Sequence, residues 1–183
     1  MYEKYDFRVF RYTADHLRKW HLILLDLGIE NSIHPCMNRD GVLFVENIGA
    51  DASGVPGLNY GMQFGDDLFR TVAVNDRQFL EVAGPKFSRA EVASRYIVMY
   101  AVDLVRVHLG LMSVKGALNE LGLDHRVTVD EDLCRLSVST EPAVYSLTDL
   151  HDAASISRIM CMKDAESGVL LANGLAESID GSN

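Results

Sequence analysis

Residues 88–111, SRAEVASRYIVMYAVDLVRVHLGL, decide how the rest of the chain is expected to fold. Ser88 followed by Glu91 forms a capping-box pattern, in which two side chains satisfy free backbone N–H groups at the start of a helix. Gly110 is suited to end that helix, because glycine adopts a left-handed conformation without a steric penalty. These signals predict one long helix between them.

Apolar side chains cover most of the circumference of this predicted helix. A narrow stripe, Arg95–Met99–Asp103–Arg106, is mostly polar and stays on one face because its members are three or four residues apart. A helix with so little polar surface is expected to be largely covered by other elements. Its buried side chains, at about 1.5–3 kcal/mol each as an upper bound, would make it a main contributor to the core.

Segments with strand patterns precede this helix. In 58–64, LNYGMQF, large apolar residues alternate with polar or small ones, as in a half-buried strand. Short turns between the segments imply antiparallel pairing. The predicted strands are 42–48, 58–64, 68–74 and 78–83, and Gly84-Pro85 is expected to break the sheet. A helix from Thr13 to about Leu27, ended by Gly28, is expected in front of them.

The remainder of the chain looks like a shortened copy of the first part. Residues 24–29, LLDLGI, match residues 118–123, LNELGL, and Ser94-Arg95 has a counterpart in Ser157-Arg158. Duplication of 13–111 as 113–175 is a hypothesis, since matches this short also arise by chance. The elements expected there are helix 113–121, strands 126–129 and 133–139 with Cys134, Leu136 and Val138 facing inward, a helix from Thr148 to about Lys163, and strand 168–172.

Together these patterns predict an α+β fold in which an antiparallel β-meander packs on a long central helix. Residues 1–111 would form an N-terminal α+β lobe that contains this helix. Residues 112–183 would form a smaller acidic α+β lobe, packed as one unit with the first. A chain of 183 residues is long enough for one domain with a real core or for two small lobes.

Charge is distributed unevenly along the chain. The formal net charge is −9, which argues against nucleic-acid binding, where basic patches supply most of the affinity. Residues 1–115 carry 13 Lys and Arg against 14 Asp and Glu, whereas residues 116–183 carry 4 against 12. The acidic last third is either a solubilising surface or a face for a basic partner.

Several features favour the cytosol. Cys36, Cys134 and Cys161 are widely spaced and odd in number, which suggests neither a disulfide framework nor a zinc site. The first residues, MYEKYDFR, are too charged for a signal peptide. No apolar run approaches the roughly 20 residues that span a bilayer, so no membrane association is expected.

Motifs for catalysis are not evident. The six histidines form no metal-binding pair, and the glycine-rich stretch 49–57 lacks the lysine of a phosphate-binding loop. His151 lies between Asp149 and Asp152, a pattern that fits a helix dipole as well as acid–base catalysis. A protein without enzymatic activity, cofactor or metal is therefore expected.

The central helix and its flanks carry a resemblance to a known family. The order strands, then S-x-x-E-V-A-x-R-Y-I-V, then V-R-V-H-L-G-L, over residues 58–111, resembles the immunity proteins that neutralise mycobacterial necrotizing toxin, an NAD-glycohydrolase, and its polymorphic-toxin relatives. The resemblance implies a cytosolic α+β inhibitor that covers the toxin's NAD site and needs no cofactor. The shared positions look structural, so they assign no binding residues.

Candidate contacts with such a toxin come from the acidic last third, because one-sided acidity speeds encounter with a basic partner. Aromatic residues are the usual anchors of an interface. The predicted partner-binding residues are Asp130, Glu131, Asp132, Asp149 and Asp152, with Tyr145 as an anchor.

Two other classes of function stay open. A secretion chaperone is small, acidic and α+β, and would bind an extended client segment through a groove or sheet edge. A small-ligand-binding domain would need an apolar pocket with converging polar groups, such as His108 with Arg95 or Asp103.

Overall fold

The computed structural model describes residues 7–26, 28, 32–37, 43–48, 58–65, 68–75, 80–108, 110–138, 144–147 and 150–162. In that part of the chain the elements are α1 Phe7–Asp26, β1 Ser32–Met37, β2 Leu43–Ile48, β3 Leu58–Gly65, β4 Leu68–Asn75, β5 Leu80–Phe87, α2 Ala90–His108, α3 Val114–Glu120, β6 Val127–Asp130, β7 Arg135–Val138, β8 Val144–Ser146 and α4 Ala153–Cys161. Helices combined with antiparallel strands confirm the predicted α+β class.

All of these strands belong to one sheet, in the order β1-β2-β3-β4-β5-β8-β7-β6. Each neighbouring pair is antiparallel. The first five strands form a meander, as predicted, because each one pairs with the next along the chain. The sheet then continues through β8, which pairs with β5 at Lys86↔Ser146. The strands of residues 112–183 thus extend the same sheet.

Helix α2 lies at the centre of the core. Residues 92–99 are all buried, and the helix contacts α1, α3, α4 and three strands, β3, β4 and β5. This confirms the prediction that other elements largely cover the helix. The residues of its polar stripe are covered as well. Arg95 and Arg106 are only 5% and 1% exposed, because their guanidinium groups bond to backbone carbonyls of neighbouring segments.

Several predicted boundaries are wrong. Helix α1 begins at Phe7, and Thr13 lies inside it, where its hydroxyl donates to Ser94 Oγ at 2.6 Å. The capping box of α2 is not formed, because the Ser88 hydroxyl has no hydrogen-bond partner. The Arg89 carbonyl instead accepts from the Ala93 N–H at 3.2 Å. Strands β1 and β8 were not predicted, α4 starts only at Ala153, and the predicted strand 168–172 lies outside the described residues.

The Gly84-Pro85 pair does not break the sheet, since both residues lie inside β5. Between the pairs Arg70↔Lys86 and Val72↔Ala83, Gly84 and Pro85 lie opposite the single residue Thr71, so they form a β-bulge in β5. The bulge accommodates the missing proline N–H, and the Thr71 hydroxyl donates to the Pro85 carbonyl at 3.0 Å. A Cβ atom on Gly84 would lie 2.3 Å from Thr71 Oγ1, so glycine permits this close approach.

The element order supports the duplication hypothesis. Each part runs helix, antiparallel strands, helix: α1, β1 to β5 and α2, then α3, β6 to β8 and α4. The last strands of the two parts are neighbours, and the first strands lie at opposite ends of the sheet. The matched glycines Gly28 and Gly122 both follow a helix with positive φ, 71° and 68°. Among the described residues, five strands in the first part and three in the second agree with a shortened second copy.

Candidate functional site

The β6–β7 hairpin presents the predicted acidic residues Asp130, Glu131 and Asp132, which we call the acidic turn. Asp130 pairs with Arg135 at the end of the hairpin. The Asp130 carboxylate accepts the Leu133 N–H at 3.1 Å, which fixes the loop from within. All three acidic residues are exposed. The hairpin therefore holds three carboxylates together at the surface in a defined conformation.

Cys134 ends the acidic turn. It has a φ of 47°, an uncommon conformation for a residue other than glycine. The Cys134 N–H donates to the Glu131 carbonyl at 3.3 Å, and its own carbonyl accepts the Leu147 N–H at 2.8 Å. The predicted strand 133–139 consequently starts later, at Arg135, although Leu136 is buried and Cys134 and Val138 pack against the core as expected.

Asp124 fixes the base of the same hairpin. Its carboxylate accepts from Arg126 Nε and a terminal guanidinium nitrogen, both at 2.8 Å, and from the Arg126 N–H at 3.0 Å. These hydrogen bonds hold the pKa of the Asp124 carboxyl well below its ordinary value. The Asp124 N–H also donates to Ser157 Oγ at 3.0 Å, which ties the hairpin to α4. Asp124 is therefore buried and neutralised by Arg126.

Asp152 lies elsewhere, where α2, α3 and the start of α4 meet. Lys115 Nζ contacts the Asp152 carboxylate at 2.7 Å and Tyr100 OH at 3.2 Å. Tyr96 OH lies 3.0 Å from Tyr100 OH and donates to Asp152 at 3.4 Å. The ammonium also sits 5.4 Å from the centre of the Tyr100 ring, a cation–π contact. These four side chains, the helix joint, hold three helices together.

In the helix joint, Lys115 and Tyr96 are protonated at neutral pH. Burial would lower the pKa of Lys115, but its bonds to Asp152 and Tyr100 raise it above the ordinary value. Burial, followed by the nearby charges and hydrogen bonds of Tyr100 and Asp152, raises the pKa of Tyr96 far above its own. Acid–base catalysis works best with a pKa near the working pH. The arrangement suits a structural ion pair better than proton transfer.

Two residues considered for a small-ligand pocket bond to backbone groups of the protein. Arg95 donates to the carbonyls of Met162 at 2.9 Å and Ile159 at 3.4 Å, at the end of α4. Asp103 accepts the N–H groups of Val114 and Lys115 at the start of α3. Burial raises the pKa of the Asp103 carboxyl despite these bonds. The side chain of His108 lies outside the described part of the structure.

The structure thus separates the predicted contact residues. The acidic turn forms one exposed group, whereas Asp152 belongs to the helix joint with its side chain 23% exposed. Tyr145 lies in β8, but its side chain is not among the described parts, and Asp149 lies outside the described residues. Sequence reasoning missed Lys115, Tyr96 and Tyr100. The spacing of the two tyrosines, i and i+4 on one helix face, was the available signal.

Strand β6 is the last strand of the sheet in the described part of the chain and lies beside the acidic turn. It pairs with β7, and among the described residues no strand pairs with its outer side. Thr128 and Asp130 are exposed, whereas Val127 and Val129 are partly buried against the core. An edge strand leaves alternate backbone N–H and C=O groups without a partner. The acidic turn and a sheet edge are therefore continuous.

Within the same described ranges, no group of three or more His, Cys, Asp and Glu side chains is placed to hold a metal ion. Cys134 and Cys161 are free thiols, and burial raises the pKa of the Cys161 thiol to about 11. None of the helices in these ranges is long and apolar enough to cross a membrane.

Comparison with known proteins shows what this fold is similar to. No protein-family model matches the chain, and no curated protein matches it. Among solved structures, Rv3902c from M. tuberculosis is similar with a TM-score of 0.64 and 15% sequence identity. The similarity covers 90% of this chain and 87% of that chain. At this identity the two proteins share a fold over nearly their whole length.

Proposed function

We propose that the protein is a cytosolic immunity protein that binds a cognate NAD-degrading toxin and occludes its active site. The observation that carries this proposal is the acidic turn, Asp130, Glu131 and Asp132, which holds three exposed carboxylates in one fixed hairpin. A fixed acidic projection is suited to steer a basic macromolecular surface into a defined pose.

Two further observations support the proposal. The stretch 58–111, which resembles the immunity proteins of mycobacterial necrotizing toxin, forms β3, β4, β5 and α2 at the centre of the fold. The similar solved structure, Rv3902c, comes from M. tuberculosis, a mycobacterium. A specific inhibitory interface buries about 1,600 Å² in total, so the acidic turn would form one part of a larger contact.

The outer edge of β6, along which the described part of the chain places no strand, also favours a second candidate, a secretion chaperone. A chaperone of this class uses a sheet edge to hold an extended client segment. The two functions differ in the state of the partner, because an inhibitor binds a folded enzyme and a chaperone binds an unfolded client. Amide exchange of the bound partner distinguishes them, since a folded toxin stays protected and an unfolded client exchanges rapidly.

The proposal is tested by isolating the tagged full-length chain from the cytosol of its source cell together with any bound protein. We expect a captured protein that hydrolyses NAD once it is separated from the chain. Adding the chain back in equal amount should abolish that hydrolysis, and an equal amount of an unrelated acidic protein should not.

Two results would overturn the proposal. The first is a captured protein that leaves NAD intact after separation. The second is an NAD-hydrolysing partner whose rate does not change when the chain is added back.

A further inference from the structure

The outer edge of β6, Val127–Asp130, has the features of a docking strand. In an antiparallel pair, alternate residues direct their N–H and C=O groups away from the partner strand. On β6 those groups face outward with no neighbouring strand among the described residues, although the Val127 N–H already donates to the Asp124 carbonyl at 3.0 Å. An extended segment of another protein can add to such an edge through main-chain hydrogen bonds. The backbone of β6 therefore supplies affinity without regard to sequence.

The side chains of β6 indicate what kind of peptide segment would fit along this edge. Val127 and Val129 face the core side of the sheet and Thr128 and Asp130 face solvent, because successive strand residues point to opposite faces. An added strand continues this alternation, with apolar residues beside the valines and polar residues beside Asp130. The acidic turn lies at the end of the strand. Lysine or arginine would match these carboxylates.

The same charge disfavours a second copy of this chain as the occupant. The chain carries a net charge of −9, so two copies of it repel each other. Arg126, next to β6, cannot offset this because its guanidinium is bonded to Asp124. Arg135 lies opposite Asp130 in the hairpin register, so this end of the hairpin carries three carboxylates against one cation and stays negative.

We infer that β6 binds, by strand addition, an extended segment in which basic and apolar residues alternate. This inference rests on the proposed function, since it names the part of the toxin that the same surface contacts. Under this inference, charge attraction alone does not explain binding. Both the backbone N–H groups and the basic side chains of the bound segment are needed.

The experiment titrates the full-length, isotope-labelled chain with a synthetic peptide of alternating lysine and valine and follows backbone amide signals by NMR. We expect the signals of residues 127–130 to shift. The matched control is the same peptide with N-methyl groups on alternate residues, which keeps its charge but removes the N–H groups along one edge. Loss of these hydrogen bonds should weaken binding about tenfold or more. A glutamate–valine peptide should not bind.

Three outcomes overturn the inference. Equal binding of the N-methylated peptide would mean that only charge acts. Shifts confined to residues outside 127–130 would place the peptide elsewhere. Slow amide exchange along the outer edge of β6 in the free chain would mean that another part of the chain covers it. The proposed function is judged separately. If a toxin binds and is inhibited while the amide exchange rates of residues 127–130 stay unchanged, the inference about β6 is refuted and the proposed function stands.

Discussion

At the residue scale, Asp124 is the carboxylate whose environment differs most from that of the acidic turn. Asp124 lies at the base of the hairpin whose tip is the acidic turn. Asp124 is buried and bonded to Arg126, whereas Asp132 in the acidic turn is exposed. Because the folded chain lowers the pKa of Asp124, this carboxylate stabilises the fold in its charged form. Its contribution is complete above about pH 5, where an unfolded aspartate is almost fully charged, and is lost as the pH falls toward the lower folded value.

We therefore expect Asp124→Asn to lower the free energy of unfolding at pH 7 by about 1–3 kcal/mol, because Arg126 loses its charged acceptor. Below about pH 5 the difference between variant and wild type should shrink progressively. Urea unfolding followed by circular dichroism at a series of pH values measures both effects. Asp132→Asn is the control and should leave stability unchanged. A deficit for Asp124→Asn that stays constant down to pH 2 would contradict this account.

At the scale of elements, β5 shows how a local signal can mislead. Gly84-Pro85 is an ordinary strand-ending pattern, but here the two residues form a bulge in β5 opposite Thr71, and the Thr71 hydroxyl bonds to the Pro85 carbonyl. The pairing partner is distant in sequence, so a local reading cannot see it. By contrast, α2 was predictable because its apolar period is contained in its own residues. The residues of β1 and β8 show no regular apolar pattern of their own, so pairing with neighbouring strands determines that they form strands.

The close packing at the bulge leads us to predict that a larger residue at position 84 destabilises the fold. In Gly84→Ala the new Cβ would overlap Thr71 Oγ1, at 2.3 Å, and press on the Thr71 carbonyl oxygen, at 3.0 Å. We expect a loss of stability of about 1–3 kcal/mol. Thr71→Ala removes the hydroxyl, so the double variant should be less destabilised than the sum of the two single changes. Strict additivity in thermal and urea unfolding would show that the hydroxyl does not limit the space at Gly84.

At the scale of the whole molecule, the charge distribution was readable from the sequence, but its geometry was not. The last third is acidic by count, yet Asp124 and Asp152 are bonded to Arg126 and Lys115. A count of acidic residues cannot distinguish these two paired carboxylates from the exposed carboxylates of the acidic turn. Their cationic partners are placed by the fold, since Lys115 comes from another segment and Arg126 from a fixed turn. The continuous sheet was hidden in the same way, since β5 and β8 pair across more than fifty residues of sequence.

If the proposed function holds, the acidic turn should affect how fast the chain associates with the proposed toxin. Reversal of Asp130, Glu131 and Asp132 to Lys should slow association about tenfold at low salt and flatten its dependence on ionic strength, because steering acts through the long-range field. Stopped-flow mixing over a range of salt concentrations measures this. Reversal of the exposed Asp15, Asp26 and Glu91 changes the net charge equally in the first part of the chain. If both triple variants slow association equally, the field of the whole molecule steers the toxin, and if neither does, the acidic turn lies outside the interface.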